Sequence, residues 1–257
     1  MSLLQDKVVV VAGFGPGLGA SLARRALAEG ARLVVAARTA DKLEAAAAEL
    51  DGDVLAVPTD INDEDAVRNL LAKTLERFGR VDCILANAFL MPPMDPLTQV
   101  SHTKVKTALD TNVFAQLTLA SVFADALSET KGNIVMISSM VIRHSQPEYA
   151  AYKLTKAALH AAAGSLATEL GPRGIRVNTV APGWIWEDVN KMYFEWMAKE
   201  RGVTPQDIYD EVAGKSDLKR IADPDEVANA TLFLASDLAS AITGVCLDVN
   251  CGEYHGG

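Results

Sequence analysis

The chain has 257 residues, 49% hydrophobic and 22% charged, enough for one large globular core, and its formal net charge of -9 argues against nucleic acid or an anionic membrane surface as main partner. No apolar run reaches the length of about 18 residues that a membrane-spanning helix needs, and Met1–Lys7 lacks the basic and apolar regions of a signal peptide. Cys83, Cys246 and Cys251 form no Cys-x-x-Cys pair and the histidines show no metal-ligand spacing, so reduced thiols, a cytoplasmic location and no metal site are expected.

A first strand is predicted over Lys7–Ala12. It runs into Ala12-Gly-Phe-Gly-Pro-Gly-Leu-Gly19, and a helix is predicted over Leu18–Glu29. Glycines at 13, 15, 17 and 19 allow a tight turn and close backbone approach to a diphosphate, which a helix N-terminus attracts. A plain strand–helix turn needs fewer, so the loop predicts a dinucleotide site. The second strand, Arg32–Ala37, leads to Arg38 with no acid at either 37 or 38. NAD sites place a carboxylate there for the ribose hydroxyls, whereas a 2′-phosphate prefers arginine, so NADP is favoured over NAD. Asp41 opens the next helix, Asp41–Leu50, as a first-turn acid.

Strands are expected at Asp53–Pro58, Val81–Ala86, Asn133–Ser138, Ile175–Val180 and Val245–Val249. Helices are expected at Asp63–Phe78, Ser101–Leu127, Tyr149–Leu170 and Pro224–Leu234. Several strands are apolar on successive residues, as strands buried on both faces are. The alternation implies right-handed crossovers and a single-domain, doubly wound α/β fold, a parallel sheet of about seven strands with helices on both faces.

Within the predicted helix 149–170, Tyr152 and Lys156 stand at i and i+4 and share a face. A free phenol is a poor acid or base at neutral pH, and a nearby cation lowers its pKa. Ser139 ends the apolar run of the fifth strand, so a hydroxyl facing this pair predicts proton transfer to or from an oxygen. Tyr149 and Lys153 repeat the spacing in another register. The small residues after Lys156 and the distance to Ser139 favour Tyr152/Lys156, and solvated helix positions remain the alternative.

Residues 182–220 break the strand–helix rhythm and hold all three tryptophans, which predicts a substrate lid. Phe89, Met140, His144, Tyr149, Trp184 and Trp186 are candidate substrate walls, suited to a bulky, largely apolar alcohol or ketone. Packing of the aromatic residues on their own segment is the competing reading. The helix 149–170 is small or apolar nearly all round, which calls for a partner beyond one sheet face.

The chain resembles the short-chain dehydrogenases/reductases over essentially its full length. The resemblance rests on Gly13-x3-Gly17-x-Gly19, Asp60-Ile61, Ala86-Asn87-Ala88, the set Asn112, Ser139, Tyr152 and Lys156, and Pro182-Gly183. It implies hydride transfer between NADP or NAD and a secondary alcohol/ketone pair. Gly13, Gly15, Gly17, Leu18, Gly19, Arg38, Asp60, Ile61, Asn87, Ala88, Tyr152, Lys156, Pro182 and Gly183 would bind the cofactor. Tyr152 would be the acid/base, and Lys156 would lower its pKa and hold the nicotinamide ribose. Ser139 would bind the substrate oxygen, and Asn112 would hold a water linking Lys156 to solvent. The resemblance also implies a homodimer or homotetramer through helices 101–127 and 149–170. Ala12, Ala86, Phe89 and Glu187 depart from the family pattern, which carries threonine, asparagine, glycine and threonine respectively at those places. A non-catalytic dinucleotide sensor or scaffold is the alternative, and an epimerase or dehydratase would need a larger substrate domain.

Overall fold

Seven strands form from the β-branched and leucine-rich runs: β1 (Val8–Ala12), β2 (Arg32–Ala37), β3 (Val54–Pro58), β4 (Cys83–Ala86), β5 (Asn133–Ile137), β6 (Arg176–Pro182) and β7 (Cys246–Val249). They make one sheet in the order β3-β2-β1-β4-β5-β6-β7, parallel throughout. The structure, a computed structural model, describes residues 2–255. Every residue of β1, β4 and β5 is buried, since helices cover both faces.

The pleat divides β1 between two cores. Val8, Val10 and Ala12 pack with α3 (Glu64–Phe78), α5 (Ala115–Thr130) and α6 (Ala150–Leu170). Val9 and Val11 pack with α1 (Leu18–Ala28), α2 (Ala40–Ala48) and α9 (Pro224–Ala235). Strand order reverses between β1 and β4, the place where ligands sit in open α/β sheets. The loops leaving this edge are knitted together. The Ala12 carbonyl accepts from Asn87 N and Ala88 N, both at 2.8 Å, and Ala36 O accepts from Gly13 N and Phe14 N at 2.9 Å.

Two predicted elements differ. The helix expected over 101–127 is α4 (His102–Leu109), a π-helical turn at Asp110–Phe114, and α5. The wider turn turns the Asn112 amide onto Leu90, and such bulges recur at functional sites. The 182–220 excursion holds α7 (Asp188–Arg201) and α8 (Pro205–Ala213), packed on each other around Phe194, Ile208 and Ile221. A reciprocal Thr204/Asp207 capping box starts α8.

Candidate active site

A cleft of about 1680 Å³ runs along the carboxyl edge of the sheet, from the β2 terminus across the glycine loop to the tryptophan segment. Gly13 has φ +95°, and a Cβ there would collide with the Ala88 main chain, so only glycine lets the loops after β1 and β4 meet. Asn87 Nδ2 donates to Gly13 O at 2.8 Å and locks that meeting. Gly15, Leu18 and Gly19 line the cleft; Gly17 does not. Gly17 has φ +80°, and a Cβ on it would strike the Glu187 carboxylate. α1 has no side-chain cap and no acid in its first turn. Instead Leu18 N donates to Glu187 Oε2 at 3.0 Å, across 169 residues of sequence.

At the far end, Arg38 is exposed and borders the cleft together with Lys42, a second cation that the sequence reading missed. Lys42 lies in the first turn of α2, one residue after Asp41, where its spacing looks like ordinary helix surface. Asp60 and Ile61 also border the cleft. The Asp60 carboxylate accepts from Asn62 N and Asn62 Nδ2, both at 3.0 Å. Those bonds, with a smaller contribution from Arg38, hold it below the usual carboxylate range.

The proton-handling groups converge at the end of β5. Tyr152, Ser139 and Lys156 all face the cleft, and Ser139 Oγ accepts from Val141 N at 3.2 Å. Lys156 is buried, and its Nζ donates to Ile137 O at 2.7 Å. The other register separates: Lys153 turns to Ser145 Oγ at 2.8 Å, and Tyr149 packs edge-on to His144 at 6.3 Å. Burial pushes Tyr149 up to about 12.

The expected acidification of Tyr152 by Lys156 is not what the structure shows. Burial raises the Tyr152 phenol above its ordinary value, opposed by the nearby Ser139 hydroxyl. Lys156 is itself pushed down to about 7 by burial. Desolvation is the largest cause for both members. Phe89 is part of the cover: its ring centroid lies 4.7 Å from Lys156 Nζ and 5.4 Å from the Tyr152 ring.

Asn112 does not line the cleft. Its Oδ1 accepts from Leu90 N at 2.7 Å, and its Nδ2 donates to Leu90 O at 2.8 Å and Thr155 Oγ1 at 3.3 Å. The side chain braces the loop after β4 against α6.

On the substrate side, Met140, His144 and Trp184 line the cleft, while Trp186 does not. Trp186 packs inside the excursion against Phe194 and Tyr209, as the competing aromatic-packing reading had it. Trp184 bridges both settings, stacked on Tyr193 at 6.0 Å. His144 stacks on Tyr254 at 4.6 Å, its Nδ1 buried without a partner. The C-terminal segment thus closes onto its own cleft, with Glu253 on the wall, a residue no motif marked. Among the described residues no group of His, Cys, Asp and Glu could hold a metal ion.

The edge fits a dinucleotide. The glycine loop gives a backbone cradle, Arg38 and Lys42 stand at one end, and Ser138 Oγ is buried on the cleft wall with no partner. The profile of a family described as "Enoyl-(Acyl carrier protein) reductase" matches residues 13–254. The chain belongs to the short-chain dehydrogenase/reductase family and is an oxidoreductase that works with a nicotinamide dinucleotide.

Among individual proteins, the chain is 35% identical to the L-fucose dehydrogenase of Oryctolagus cuniculus over 97% of its length and 86% of that protein's. It is 33% identical to the L-rhamnose 1-dehydrogenase (NAD(P)(+)) of Azotobacter vinelandii, covering 98% of each. Of solved structures, levodione reductase superposes with a TM-score of 0.89 at 27% identity, covering 97% of this chain and 98% of that one.

Proposed function

We propose that the protein is an NAD(P)-dependent alcohol dehydrogenase/carbonyl reductase that interconverts a secondary alcohol and its ketone. The observation that carries this is the convergence of Ser139, Tyr152 and Lys156 beside the glycine loop in one cleft. The nucleotide, when bound, supplies the hydride chemistry. Tyr152 gives its proton to the substrate oxygen in reduction and takes it back in oxidation. Ser139 donates to the same oxygen as negative charge builds there. Lys156, anchored on Ile137 O, is the reserve proton site behind the phenol and the donor toward the ribose hydroxyls. The glycine loop with Leu18 holds the diphosphate, and Asp60, Ile61, Asn87, Ala88, Pro182 and Gly183 line the nucleotide's path. Arg38 and Lys42, with no carboxylate at the end of β2, favour NADP over NAD.

The substrate is a bulky, largely apolar cyclic alcohol or ketone received by Phe89, Met140, Tyr149 and Trp184 under a lid formed by residues 182–220. A second reading is a deoxy-sugar. It is favoured by the partnerless Nδ1 of His144 and by Glu253 on the same wall, and by the fucose and rhamnose dehydrogenases among the relatives.

The protein acts in the cytoplasm as a homodimer or homotetramer through the helices of 101–127 and 149–170, where Phe114 and Leu154 are exposed. Among the described residues no helix is long and apolar enough to cross a membrane.

The test is a panel of cyclic ketones, hydroxysteroids and 6-deoxy sugars run with NADH and NADPH, or NAD and NADP, followed at the nicotinamide absorbance band. Turnover of a ring-borne carbonyl or hydroxyl is expected, and no absorbance change with any member contradicts the proposal.

A further inference from the structure

The Glu187 carboxylate sits where a diphosphate would sit. Its Oε2 takes the Leu18 amide at the first residue of α1, and it fills the space beside Gly17 that a side chain there would need. α1 has no other acid in its first turn, so this carboxylate is the anion that answers the helix N-terminus. It comes from far along the chain. Its backbone is fixed: Trp186 N donates to Ala222 O at 2.8 Å, and Glu187 O accepts from Lys191 N at 2.9 Å in the first turn of α7. The side chain can therefore leave by rotation while α7 stays in place.

Resting on the dinucleotide reading above, we propose that Glu187 is a built-in competitor for the diphosphate site and sets the affinity for the nucleotide. Any diphosphate arriving at Leu18 N must displace the carboxylate and then stand beside its negative charge. Neutral side chains at 187 lower both penalties. The same competition acts on every ligand that carries the diphosphate, whether or not it carries nicotinamide.

The test is binding, read without turnover. ADP-ribose, NADH and NADPH are titrated into wild type, Glu187→Gln and Glu187→Thr, following tryptophan fluorescence, to which Trp184 on the cleft wall contributes. Calorimetry checks the dissociation constants, and the ligand-induced rise in Tm reports on each folded variant. Both variants are expected to bind ADP-ribose about tenfold more tightly than wild type, with a larger rise in Tm. Adenosine, which lacks phosphate, should bind all three alike. Equal or weaker ADP-ribose binding by both variants overturns the role of Glu187 and leaves the dinucleotide site standing. If none of the three proteins binds any nucleotide, the dinucleotide reading falls and this inference with it.

Discussion

The ammonium of Lys156 lies 4.7 Å from the centroid of the Phe89 ring, at a position where the family pattern has glycine. The same ring tilts against Tyr152 at 5.4 Å. One aromatic side chain therefore lies against both groups proposed to move the proton.

Removing that cover should change how the lysine titrates. In Phe89→Ala, water reaches Nζ and the Lys156 pKa climbs from about 7 toward its ordinary value. The limb of the pH–rate profile that follows Lys156 should move to higher pH by about one unit. A profile with both limbs unmoved would show that Phe89 does not set the environment of the pair.

Burial of Lys156 also makes stability depend on pH, with a definite sign. The folded state lets the proton go near pH 7, while the unfolded chain keeps it to the ordinary lysine range. Between those limits the unfolded state binds more protons, so stability rises with pH by up to about 1.4 kcal/mol per unit. Below the lower limit both states are protonated and the penalty is fully present. Urea denaturation of the nucleotide-free protein at pH 7 and pH 9 should show wild type gaining on Lys156→Met as pH rises. A difference that stays flat with pH would mean the lysine is charged in the folded protein.

Arg38 supplies the cofactor test. Arg38→Ala should raise the dissociation constant for NADPH about 10- to 100-fold and leave NADH nearly unchanged, because only the former carries the 2′-phosphate. Titration of each nucleotide by fluorescence measures this. An equal loss for both would place Arg38 outside the 2′-phosphate site.

Much of this architecture was legible in the chain, for particular reasons. Val8–Ala12 reads as a buried strand because four valines precede the glycine loop, and it is one. Tyr152 and Lys156 could be placed on one face because helical spacing is a local property, and Ala150–Leu170 is one continuous helix. What the sequence did not disclose depends on contacts between distant segments. The π-helical turn at Asn112 goes with its amide meeting Leu90, 22 residues away. Glu187 stood out only as a departure from a pattern; its place at Leu18 needed the fold. The acidification expected for Tyr152 considered charge alone. Burial, which no local pattern reports, runs the other way for both groups.

The most direct test of the account is Tyr152→Phe, assayed for turnover and for nucleotide binding in the same preparation. The account predicts a fall in kcat of at least about a thousandfold, with the NADPH dissociation constant within about threefold of wild type, since only the proton-carrying oxygen is lost. Turnover within about tenfold of wild type would contradict the assignment of the phenol as the acid/base.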